Sequence, residues 1–216
     1  MEKPIRKLPF SFHATGKGVS DPQVTHDELV AELADVNKRD LVMFVRAYVQ
    51  ERTPAAFASN PMLWEAVREW FAARLSAHPR QIGLSGSAQT GFSLKPSKRG
   101  IPFDPTSSDL DFFVVNEDYF SVVESEIRLF IARCAASSSF LDQTATVQRQ
   151  LRMGYVDLNQ VPANHDQYPN LSRARNDVSI IIDRLKLHGF ALKPSHLRVY
   201  QNWEALGRWV SRSFSI

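Results

Sequence analysis

One stretch constrains this chain more than any other: Ile82 to Val115, IGLSGSAQTGFSLKPSKRGIPFDPTSSDLDFFVV. It begins with a short apolar run, Ile82–Leu84, that reads as a strand. A turn of small residues follows, Ser85-Gly86-Ser87, with Thr90-Gly91 just beyond. After a polar, proline-containing loop, Ser107-Ser108-Asp109-Leu110-Asp111 runs straight into Phe112-Phe113-Val114-Val115, a second strand. The glycines let backbone N–H groups approach an anion with no Cβ in the way. A helix starting near Ala88 adds a favourable field for that anion. In a strand, Asp109 and Asp111 share one face, roughly 6.5–7 Å apart along the chain, while Leu110 points to the opposite side. Two carboxylates on one face repel unless cations lie between them. Two Mg²⁺ ions about 3.5–4 Å apart would satisfy them, and such a pair clamps the attacking and leaving oxygens of phosphoryl or nucleotidyl transfer.

The stretch resembles the nucleotidyltransferase superfamily of the DNA polymerase β type, in a small bacterial-type form. Gly86-Ser87 match the family's turn after the first strand, and Asp109-Leu110-Asp111, preceded by Ser108, match its Asp-x-Asp pair on the second. The likeness covers Ile82–Val115 firmly and the chain to Val161 more loosely. The loop Leu94–Thr106 makes the interval from turn to pair longer than in most small members. The resemblance implies transfer of an NMP from an NTP to a hydroxyl acceptor, with two Mg²⁺ ions, or Mn²⁺ in their place. It also implies a third carboxylate on a later strand. Asp157, in Tyr155-Val156-Asp157-Leu158, is the candidate, because a charge in an apolar strand pattern is costly unless paired or on a metal. The other reading is a strand-edge Asp facing water or paired with Arg152. Asp183 reads as helical, and Asp104, beside Pro105, as a turn former. For the nucleotide, the resemblance offers the Ser87 hydroxyl and the backbone of Gly86 and Ala88. Thr90 either adds a contact or caps the next helix. Lys95, with Lys98 and Arg99, either closes over phosphates or stays solvated.

Composition narrows the setting. The chain has 216 residues, 44% hydrophobic and 23% charged, enough to bury a core in one elaborated domain. Its net charge of +3 is compatible with nucleotides or RNA without demanding them. The sole cysteine, Cys134, excludes an intrachain disulfide and points to a reducing, cytoplasmic setting. Cys134 lies in an apolar helical pattern and reads as a buried, inert thiol. No apolar run approaches membrane-spanning length, so no membrane partner is expected. The basic start lacks the apolar core of a secretory signal. His165 and His188 have no partners at ligand spacing and read as surface or core residues.

Four segments are expected: an irregular arm, 1–23; a helical part, 24–79; a catalytic core, 80–162; and a helical C-terminal part, 163–216. Thr25-His26-Asp27-Glu28 is a capping box opening a first helix. A second helix covers about 39–50, and Asn60-Pro61 starts a third. Past Val115 the pattern predicts a helix over about 117–135, a strand within 144–151 and a strand over 154–161. Polar, irregular chain follows at 163–175, then a helix over about 177–188, a short element at 194–200 and a helix over 203–214. The fold class is therefore α+β: a small mixed β-sheet, of nucleotidyltransferase type by the resemblance, flanked by N-terminal and C-terminal helices. After Asn170 come Arg173, Arg175, Arg184, Lys186, Lys193, Arg198, Arg208 and Arg212 against Asp177, Asp183 and Glu204, a local excess of +5. Arg208 and Arg212 share a helical face, and Trp203 or Trp209 could stack on a base. RNA is the acceptor this favours, against the plainer reading of a solvated face with the tryptophans in the core. A protein hydroxyl, as in toxin–antitoxin members, a cyclic nucleotide product, and an inactive nucleotide- or RNA-binding module are the other readings.

Overall fold

Thr25 and Glu28 form the expected box: the Thr25 N–H donates to Glu28 Oε2 at 2.8 Å, and the Glu28 N–H donates to Thr25 Oγ1 at 3.3 Å. They open α1, His26–Ala34, which is followed by α2, Lys38–Arg46, a π turn, Ala47–Glu51, and α3, Pro61–Leu75. Asn60 caps α3 by accepting the Leu63 N–H at 3.1 Å, with Pro61 in the first turn. This computed structural model describes residues 24–34, 36–137, 140–162, 164, 166–193 and 195–214. The expected arm, 1–23, and His165 lie outside them. Further along run β1, Ile82–Ser85; α4, Ser87–Thr90; β2, Asp111–Val115; α5, Glu117–Ser137; and α6, Leu141–Arg152. The remaining elements are β3, Tyr155–Asp157; α7, Pro169–Lys186; β4, His196–Tyr200; and α8, Trp203–Phe214. Among the described residues the fold is α+β, and no helix there is long and apolar enough to cross a membrane.

The four strands make one mixed sheet in the order β1-β2-β4-β3. β1 and β3 run antiparallel to their neighbours, whereas β2 and β4 are parallel. Strand alternation sorts the side chains onto two faces. Ile82, Leu84, Phe112, Val114, Val156, Leu197 and Val199 enter a larger core with α3, α5, α6 and α7. Phe113, Val115, Tyr155 and Tyr200 enter a smaller core with α1, α2, the π turn and α8. Cys134 is buried in the larger core, as expected.

Four expectations differ. The segment 144–151 is helical, not a strand: Thr144, Val147 and Gln150 are buried at spacings of three, which only a helix places on one side. Local β preference of Thr and Val yields here to packing. The expected strand 154–161 stops at Asp157, whose carboxylate accepts the Asn159 N–H and caps a 3₁₀ turn, Leu158–Gln160. The short element at 194–200 is β4, a central strand, so the sheet takes a strand from beyond residue 162 and the C-terminal part is not helical alone. The polar stretch expected to be irregular to 175 becomes helical at Pro169. Glu126 on α5 explains the early start: its carboxylate accepts N–H bonds from Asn170 and Leu171, each at 3.0 Å. That cap comes from another helix and leaves no local trace.

Gly83 pairs with Phe113, and a Cβ at Gly83 would stand 2.2 Å from Phe113 Cζ. Gly83→Ala should lower stability by about 1–3 kcal/mol in urea unfolding, because the ring has no room to retreat. Gly207→Ala on α8, whose added carbon meets nothing nearer than 3.9 Å, should instead be neutral or stabilising by about 0.5–1 kcal/mol.

Candidate active site

The Gly-Ser turn is made by one residue in a conformation that side chains avoid. Gly86 has φ 69° and ψ −156°, a region essentially reserved for glycine. It swings the chain from β1 into α4. Thr90 braces the turn from inside: its hydroxyl is 3.1 Å from Gly86 O and also reaches Phe92 O. Thr90 is buried at the end of α4 and braces the turn before it; the next helical turn, Pro96–Lys98, is capped at Lys95, so Thr90 does not cap it as one reading expected. Gln89 anchors the same turn to the N-terminal helices by donating to Tyr48 O at 2.9 Å. The Ala88 side chain lies in the larger core, Ser87 is half-buried and Gly86 is exposed.

The turn abuts the acid pair. A Cβ at Gly86 would stand 2.9 Å from Asp111 Oδ2. Asp111 begins β2 opposite Ser85, while Leu110 is fully buried. The Ser108 and Leu110 carbonyls accept from Lys193 and His196, so the alignment with the β4 strand extends back past Asp109. Asp109 lies two residues before Asp111, ahead of the first residue of β2, and its charge reaches the Asp111 carboxyl. Burial pushes the Asp111 carboxyl up; Arg198 opposes this, Asp109 adds to it, and Lys95 and His196 oppose it more weakly. Lys95 is exposed in the loop after α4, and its charge acts on Asp111 from there. That loop is ordered by its own bonds, Ser93 N–H to Ile101 O at 2.8 Å and Gly100 N–H to Ser93 O at 2.9 Å.

Asp157 joins from the far side of β4. Its side chain is 10% exposed, and its Oδ2 is 3.3 Å from Arg198 Nε. Arg198 also places Nη2 at 3.6 Å from Asp111 Oδ1. Asp157 is therefore paired with Arg198 and not with Arg152. Burial disfavours the Arg198 charge, but Asp111 foremost, with Tyr200 and Asp157, holds it on more firmly than usual. His196, opposite Asp111 in the β2/β4 register, completes the group. Its Nδ1 is 2.6 Å from Asn159 Nδ2 and 3.9 Å from Asp157 Oδ1. Asn159 also lines a cavity of ≈ 380 Å³ between α7 and β4, with Ser195 and Arg175.

Gly86, Asp111 and Asp157 therefore gather at one end of one sheet face, with Ser87 next to Gly86 and with Asp109 and Lys95 near enough for their charges to act on Asp111. Asp104 is a turn former: Ser107 first, then Thr106, donate to its carboxylate and hold it below its ordinary range. Asp183 is helical and paired with Lys186 at 2.7 Å, and His188 is exposed. Arg198, His196 and Asn159 were not singled out from sequence as site residues. The signal was present in His196-Leu197-Arg198-Val199-Tyr200, whose polar and apolar residues alternate as a strand requires. Among the described residues, no group of three or more His, Cys, Asp or Glu side chains is arranged to hold a metal ion. Comparison of the chain with protein-family models, curated proteins and solved structures gives no match.

Gly86→Ala should cost about 1–3 kcal/mol of stability, because an L-residue at this φ and ψ is strained. The added carbon also displaces Asp111. Urea unfolding of Gly86→Ala beside Ser87→Ala, which changes no backbone preference of this kind, measures the difference.

Proposed function

We propose that this chain transfers a nucleoside monophosphate from an NTP to a hydroxyl acceptor. One observation carries the reading: the Gly86-Ser87 turn lies against the Asp111 carboxylate, at a backbone conformation and a distance that suit glycine. A phosphate cradle and a cation site must be contiguous for chemistry at the α-phosphate of a metal-bound nucleotide. A resident metal centre would want three or more protein ligands. Mg²⁺ that arrives on a triphosphate needs only one or two carboxylates, the phosphates and water, and Asp109 and Asp111 fit that requirement. Bound there, it would neutralise charge on the phosphates and the leaving pyrophosphate.

In this reading the Ser87 hydroxyl and the backbone at Gly86–Ala88 hold the triphosphate. Lys95 adds a positive charge from the loop. Asp157 and Arg198 fix Asp111 in place. The acceptor oxygen attacks the α-phosphorus in line, the bond to the bridging β-phosphate oxygen breaks, and the hydroxyl proton passes to water. Positioning and charge supply most of the acceleration.

The acceptor we favour is RNA. Arg208 and Arg212 are exposed one turn apart on α8, the helix that covers the same sheet face as the acids. The cations of α7 pack over the opposite face and cannot join that tract. A protein hydroxyl is the second reading, with the cytoplasm as the setting for either.

Asp109→Asn and Asp111→Asn should each abolish Mg²⁺-dependent pyrophosphate release from NTPs; Asp109→Asn should leave the melting temperature close to that of the wild type, whereas Asp111→Asn, which takes a partner from buried Arg198, should lower it. Turnover retained in either variant would refute the transfer reading. RNA binding measured across a salt series should show a log–log slope of roughly −0.7 per phosphate contact. The slope should become shallower in Arg208→Ala/Arg212→Ala. Salt-independent RNA binding, with turnover indifferent to RNA, would assign the acceptor role to a protein hydroxyl.

A further inference from the structure

Several observations meet at Arg198. The guanidinium stands 3.3 Å from Asp157 and 3.6 Å from Asp111, on the strand between theirs. It lies over the Trp209 ring at 4.5 Å. Its Nη1 is buried and has no hydrogen-bond partner among the described residues. An arginine that clamps one carboxylate does so with two parallel bonds of about 2.7–2.9 Å. Arg198 does otherwise: it spreads between two acids and saturates neither. That is the position of a counter-ion. The two oxygens of Asp111 are divided accordingly, Oδ1 towards Arg198 and Oδ2 towards the Gly86 turn.

The geometry points to Arg198 as a built-in cation that occupies the place of a second metal ion between Asp111 and Asp157. Two partly desolvated carboxylates so close together need positive charge, and either a divalent ion or a guanidinium can supply it. Both together cannot, because a fixed charge at this range repels a second cation, and Mg²⁺ gives up its water reluctantly. The space beside Asp109 and Asp111 Oδ2 then remains for the ion a nucleotide carries. The use of this arrangement rests on the nucleotidyl-transfer reading, but its existence can be tested without any nucleotide.

The test is calorimetric titration of the nucleotide-free full chain with Mn²⁺ and with Mg²⁺. The wild type should show no saturable site. Arg198→Gln should gain one, with an affinity at least about tenfold above any wild-type binding, because a like charge has been removed from beside it. Arg198→Lys, which keeps the charge, should behave as the wild type, and Arg198→Gln/Asp157→Asn should lose the gained site. Melting curves report whether each variant is folded. Saturable binding to the wild type that Asp157→Asn removes would overturn the inference, and so would a folded Arg198→Gln that gains nothing. Should Arg198→Gln fail to fold, the wild type and Arg198→Lys decide: a saturable site in either overturns the inference, and none in both supports it. Absence of NTP turnover would defeat the transfer reading and leave these outcomes untouched. Turnover by a protein that binds two ions before nucleotide would defeat this inference alone.

Discussion

The charge on Arg198 is what allows two acids to stand nearly buried at the end of this sheet. Asp111 and Asp157 lie on strands that do not touch, and β4 separates them. Burial alone would drive Asp111 towards its neutral form. A guanidinium presented by the intervening strand lies against both carboxylates and opposes the effect of burial on Asp111. Removing one member of such a group leaves an uncompensated charge, which in comparable buried pairs costs about 3–5 kcal/mol. The stacking of Arg198 on Trp209 ties the group to α8 as well. The charge balance of the site and the docking of the last helix are thus one interaction.

The sheet divides its work by face. One face is apolar along its length and is sealed by four helices. The other is apolar only where Phe113, Val115, Tyr155 and Tyr200 meet the smaller core, and it turns polar at Ser85, Asp111, Asp157, His196 and Arg198. The same alternation that buries Leu197 and Val199 delivers His196 and Arg198 to the acids. The rigid side of the molecule therefore aims the residues of the open side, so the site needs little support from loops.

Much of this was readable where the cause was local. The capping box at Thr25, the start at Asn60-Pro61 and the Gly86 turn depend on residues a few positions apart, and they appear where the pattern placed them; Asp111 opens β2, with Asp109 just before it. What escaped the reading has distant causes. The early start of α7 depends on Glu126, and the helical form of 141–152 depends on what Val147 and Gln150 pack against. β4 is a run of alternating residues whose partners lie far back in the chain. Arg198 illustrates the limit: counted from sequence among cations facing an acceptor, it is drawn instead into the acid group by its strand neighbours.

The parallel pairing of β2 with β4 also sets an order of events during synthesis. A growing chain acquires its turn and all three acids well before it acquires the strand that belongs among them. Until residue 200 has emerged, β2 and β3 each present an unpaired edge, the kind of edge that recruits wrong partners. The helices between them can form meanwhile from contacts close in sequence, whereas closure of the sheet waits on the long-range one. A chain stalled or cut before His196 would carry the whole recognisable motif and yet lack the counter-charge that makes its acids tolerable. In this protein, completion of the fold and completion of the site are the same late step.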